Sequence, residues 1–148
     1  MKLKLLGLAS AFMLLLGGCS LLEEANDILS YVNGVSNYVD KATTFAQEAP
    51  QKAQQALQDE QAVEDLKSEL ENMKKEIQAF DKLEVPGIAS DLHTQIEEKN
   101  AQLQDKIDLY LQHIENGTLG EEVLKNEELV QPIQDIMSIY EQIKELGR

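Results

Sequence analysis

Apolar residues recur at Leu21, Ala25, Ile28, Val32, Val35, Val39, Ala42 and Ala46, in steps that alternate four and three. That spacing keeps one face of an α-helix apolar and gives a strand no consistent side. A second row, Tyr31, Tyr38 and Phe45, steps by seven and widens the face. Residues 30–36 and 37–43 therefore form two imperfect heptads. Asn33-Gly34, set between valines and tyrosines, offers a competing hairpin turn, because both residues suit a tight turn and weaken a helix. Helix is the expectation, since seven consecutive steps obey its period.

The rest of the chain repeats the pattern. Pro50 suits the first turn of a second helix, which carries Ala53, Ala56, Leu57, Val63, Leu66, Leu70, Met73, Ile77 and Phe80. Asp59 falls on that seam and marks a break or restart; unbroken, residues 51–82 would extend about 48 Å. Glu84-Val85-Pro86-Gly87 reads as a connection. A third helix follows with Leu92, Ile96, Leu103, Ile107, Tyr110 and Ile114. Its seam lapses at Lys99-Asn100, where a solvated gap is expected in preference to a buried amide. Asn116-Gly117 closes it, residues 120–125 form a short turn, and Asn126 caps a last helix through Leu129, Ile133, Ile136, Tyr140, Ile143 and Leu146. Pro132 either kinks that helix or starts it. The fold class is all-α: a helical bundle, or elongated antiparallel hairpins, of about four amphipathic helices. Sustained heptads equally allow a coiled-coil homo-oligomer.

Ahead of this body stand Lys2 and Lys4, then an apolar run from Leu5 to Leu16. That run is short of the roughly 20 residues a bilayer span needs, and has the form of a signal peptide. It ends in Leu16-Gly17-Gly18-Cys19, which resembles the lipobox of bacterial lipoproteins. The resemblance implies cleavage between Gly18 and Cys19. Cys19 then becomes the N-terminus and carries diacylglyceryl on sulfur, with palmitate-type chains. Residues 1–18 are accordingly the lipoprotein signal peptide and residues 19–148 an acidic, all-helical extracytoplasmic domain. No Ser/Gly-rich tether separates Cys19 from the periodic pattern, so the first helix should rise close to the membrane.

Charge narrows the partners. Lys2 and Lys4 leave with the signal and no acid does, so 13 basic residues fall to 11 against 27 acidic ones, a net charge of −16. Nucleic acid is disfavoured, because its affinity comes from neutralising phosphates. Lying flat on an anionic membrane is disfavoured for the same reason. Cys19 is the sole cysteine, so no disulfide can form within the chain, and packing must supply the stability.

Chemistry-bearing patterns are sparse. His93 and His113 lie 20 residues apart, about 30 Å along one helix, and cannot share a metal there. Ser90 and Tyr110 stand where a Glu-x-x-His di-metal bundle needs glutamates. Both histidines are expected in solvent. No Gly-x-Ser-x-Gly occurs, and the glycines match neither a phosphate loop nor a dinucleotide fingerprint. No catalytic residue, metal site or cofactor is expected, and the chain is not read as an enzyme.

Several stretches together are similar to a family. They are the lipobox, the Tyr-Val-Asn and Asn-Tyr-Val heptads at residues 31–39, and Val85-Pro86 with Ile88-Ala89-Ser90-Asp91-Leu92-His93. Ile114-Glu115-Asn116-Gly117-Thr118-Leu119 completes the set. The family is a group of short lipoproteins of unknown function from endospore-forming Gram-positive bacteria. This resemblance implies a helical fold on the outer face of the cell membrane, and no activity. The expected function is non-enzymatic protein–protein contact at the membrane, through a face at Tyr31, Tyr38 and Phe45. The alternative is a small-ligand or metal-ion binder working with a transporter.

Overall fold

The computed structural model describes residues 18–126 and 129–148. Leu16, Gly17 and the apolar run before them lie outside the described residues; for Gly18 and Cys19 the backbone is described, and it is helical. Helix α1 spans Gly18–Ala56, α2 Glu60–Phe80, α3 Ser90–Glu115, α4 Glu121–Asn126 and α5 Gln131–Leu146. A 3-10 turn, Gly87–Ala89, leads into α3. Among the described residues there is no strand, and no helix is long and apolar enough to cross a membrane.

Helix α1 packs against α2 and α5, and α3 packs against the same two. The four long helices therefore stand in a square with α1 and α3 on a diagonal. Ion pairs give the directions. Lys41 meets Glu76 at 2.7 Å and Lys52 meets Glu69 at 2.6 Å, so α2 descends as α1 ascends. Lys74 pairs with Asp108 and Lys99 with Asp135, tying α3 to α2 and α5. The result is an up-down-up-down antiparallel bundle. Its core holds Phe45, Leu66, Leu70, Ile77, Phe80, Ile96, Leu103, Ile107, Ile133, Ile136 and Ile143, each almost wholly buried. Such packing replaces the disulfide the chain cannot make.

The boundaries differ from expectation in two places, while the break expected at Asp59 stands. Pro50 does not start a helix; α1 runs through it to Ala56. Pro50 itself is exposed, while Ala49, Ala53 and Ala56 on the other side are buried. Burial of that small-residue face offsets the one backbone bond proline removes. The break comes instead at Leu57-Gln58-Asp59. Asp59 adopts an extended backbone and accepts a hydrogen bond from the Gln61 N–H at 2.9 Å, capping α2. Asn126 does not cap the last helix but ends α4; α5 begins at Gln131, with Pro132 in its first turn. The expected stop at Asn116-Gly117 stands: Asn116 is the cap residue and Gly117 takes φ 65°.

The hairpin alternative at Asn33-Gly34 is replaced by helix, and Gly34 has a packing role there. A Cβ on Gly34 would lie 2.8 Å from Cδ2 of Leu83, so the α2–α3 connection rests directly on the α1 backbone. Gly34→Ala alone should change stability little, because the helical gain is offset by displacing Leu83. In a Leu83→Ala background the same substitution should add about 1 kcal/mol, the Gly-to-Ala helix difference. Urea denaturation of the four chains measures this; equal gains in both backgrounds would contradict the contact.

Candidate functional site

Helices α1 and α3 bring polar groups to matching levels of the core. The Tyr31 hydroxyl lies 3.0 Å from Nδ1 of His93. One heptad further on, the Tyr38 hydroxyl donates to Oδ1 of Asn100. Both pairs are separated by 62 residues in sequence, so α1 and α3 run parallel and in heptad register. The next positions of the ladder, Phe45 and Ile107, are apolar and buried. Phe80 of α2 stacks on the His93 ring at 4.5 Å and meets the Tyr38 ring at 4.7 Å, which fills the space between the two pairs.

Burial governs the protonation of these groups. Burial, followed by the charge of Glu97, pushes the Tyr31 phenol up to about 12. Burial raises Tyr38 further. Both therefore remain donors. Burial lowers His93, against the smaller opposing pull of Glu97 and Asp81. A neutral His93 that accepts from Tyr31 at Nδ1 carries its proton on Nε2, 3.6 Å from the Glu97 carboxylate. Asp81 is itself pushed up by burial and by Glu97, with His93 working the other way. Asn100 is only half satisfied: its Nδ2 is buried without a partner.

Tyr31, Tyr38, His93 and Asn100 are each at most 5% exposed. A buried amide or imidazole that meets its partner only in one register penalises a slipped bundle. Acid should loosen it. The unfolded chain takes up a proton near pH 6.5, the ordinary histidine value, while folded His93 holds out to lower pH. The unfolded state thus binds more protons in that window, and stability falls as pH drops below about 6.5 until His93 itself titrates. Asp81 acts oppositely and at lower pH, because a raised carboxyl favours the folded state as it protonates. Thermal melts between pH 7.5 and 5 should show the loss, and His93→Leu should flatten it. An unchanged slope in that variant would assign the loss to other groups.

Several expectations are corrected here. The partner face expected at Tyr31, Tyr38 and Phe45 is core: the three are 2, 4 and 2% exposed. A helix that meets neighbours on two sides and a third across the diagonal must bury a wide face. His93 is buried rather than solvated, and Asn100 is a buried amide rather than a solvated gap. His113 is half-buried near the far end of α3, where Nδ1 shares a hydrogen bond with the Thr118 hydroxyl at 2.9 Å. Among the described residues no three or more His, Cys, Asp or Glu are placed to hold a metal. At that far end a cavity of about 360 Å³ opens between Pro50, Ala53, Gln54, Tyr110, Leu124 and Leu129.

The molecule is thus a small antiparallel four-helix bundle with a polar ladder at one end of its core. It belongs to the family of unknown function DUF6376, which matches residues 31–146. That span opens at Tyr31, the first buried residue among the described side chains of α1, and closes at Leu146, the last residue of α5. The chain is also 37% identical over 147 residues to the uncharacterized lipoprotein YybP of Bacillus subtilis (strain 168), covering 99% of each. No solved structure matches it.

Proposed function

We propose that this chain is a lipid-anchored protein on the extracytoplasmic face of the cell membrane, held by diacylglyceryl on Cys19, that acts by protein contact rather than catalysis. The observation that carries the proposal is Leu16-Gly17-Gly18-Cys19 at the end of a short apolar run, in a chain similar along its length to a protein named as a lipoprotein. Helix α1 leaves directly from this segment and continues unbroken into the bundle. No Ser/Gly-rich tether separates Cys19 from α1, so the bundle stays close to the surface. That suits presentation of one face to a neighbour in the same membrane.

In-cell chemical crosslinking of the tagged chain, with mass spectrometry of the products, tests this. One dominant partner, lost in a Cys19→Ala form, is the expected result. No specific product would count against contact. The far-end cavity favours a second reading, a small-ligand binder that serves a transporter, because its volume falls in the range of small-molecule sites. A ligand that binds only the folded state raises the melting temperature. A shift with a metal, sugar, amino acid or haem would favour that reading.

A further inference from the structure

The bundle does not begin where α1 begins. Its rim lies level with Leu29 and Val32, beside which α5 ends: a Cβ on Gly147 would lie 3.4 Å from Val32 and 3.8 Å from Leu29. Residues Gly18–Ile28 continue the helix beyond that rim for about 16 Å. On this stalk Glu23–Asp27 are exposed and Ile28 is half-buried. Leu29, where stalk meets rim, is 51% exposed, and Ile88, in the turn at the same end of the bundle, is 59% exposed. The apolar seam thus runs from the half-buried Ile28 to the exposed Ala25, while Asp27 and Ser30 face the α2–α3 connection across a cleft lined by Leu83 and Pro86. An isolated helix of this length is marginal in water, so it gains from a partner.

We infer that the stalk and the adjoining rim form a docking surface for a basic amphipathic helix of another protein held at the same membrane. Charge selects this occupant. Glu23, Glu24 and Asp27 on the stalk, and Glu84 and Asp91 at the rim, are exposed and make no ion pair among the described residues. The basic residues at this end are Lys82 and, at the end of α5, Lys144 and Arg148, the last two already paired with Glu141 and Glu145. A second copy would bring the same carboxylates face to face, and an anionic leaflet would repel them. A helix with an apolar seam flanked by Lys and Arg covers Ala25, Ile28 and Leu29 and neutralises the acids beside them. The inference rests on the anchored-contact reading.

Its test is a photo-crosslinking residue at Ala25 or Leu29 of the full, anchored chain in cells, with Gln54 and Gln102 as comparison positions elsewhere on the bundle. Crosslinks from Ala25 and Leu29 should join one protein, through a peptide whose apolar seam is flanked by Lys or Arg. Glu24→Lys with Asp27→Lys should cut their yield about tenfold, as exposed attractions turn to repulsions, with fractionation checking that the variant stays anchored. Crosslinks to lipid, to a second copy or to a peptide without basic residues would overturn the inference, as would an unchanged yield in the charge variant. Crosslinks from Gln54 or Gln102 alone would overturn it and leave the contact reading standing. None from any position would remove both.

Discussion

A Cys19→Ala chain should leave the membrane fraction almost completely. Cys19 is the only cysteine, so the substitution removes the one sulfur that can be acylated. Buried lipid contributes about 0.8 kcal/mol per methylene, and two chains hold a protein where one holds it only marginally. Nothing in the body replaces them. Its net charge, −14 for the uncut chain, is repelled by anionic lipid, and no described helix is long and apolar enough to cross a membrane. The uncut apolar run from Leu5 to Leu16 falls short of the roughly 20 residues of a stable span. Fractionation of cells expressing either form measures the effect. A variant as firmly bound as the parent would place the anchor elsewhere.

Tyr38→Ala should be the most damaging single change in the polar ladder. Truncating a buried aromatic residue costs about 3–5 kcal/mol, from a total of about 5–15 kcal/mol for a whole domain. It also strips the amide of Asn100, whose Nδ2 is already unpartnered, of its remaining bond. The melting temperature should fall by about 10 °C or more. Tyr38→Phe and Asn100→Leu isolate the polar share. Each alone leaves a buried group without its partner, at about 1–3 kcal/mol, while the double variant removes both and should recover most of the loss. An unchanged melting temperature in Tyr38→Ala would make Tyr38 a surface residue and contradict its burial.

The helices were legible because the three-four recurrence of Val35, Leu66, Leu103 and Ile136 is a packing requirement written directly in residue type. Their exact ends were less so. Pro50 reads locally as a start, and only the burial of Ala49, Ala53 and Ala56 against other helices explains why α1 continues. The polar ladder was missed for a related reason. His93 and Asn100 occupy the seam positions of α3, in steps of three and four with Ile96, Leu103 and Ile107. Polar residues at such sites read as gaps unless a partner is known. A usable signal was present: Tyr31 and Tyr38 share the seven-residue spacing of His93 and Asn100. The same lack of tertiary information made the tyrosines resemble an outer face. One helix's pattern says how wide its apolar face is, not how many neighbours cover it.

On the proposed reading the folded chain begins at a lipidated Cys19. Intact mass spectrometry of the protein purified from membranes, followed by sequencing of its first peptide, tests it most directly. The expected first residue is Cys19, with the mass of a diacylglyceryl group on its sulfur. An unmodified thiol at Cys19, or an N-terminus at any other residue, would contradict it.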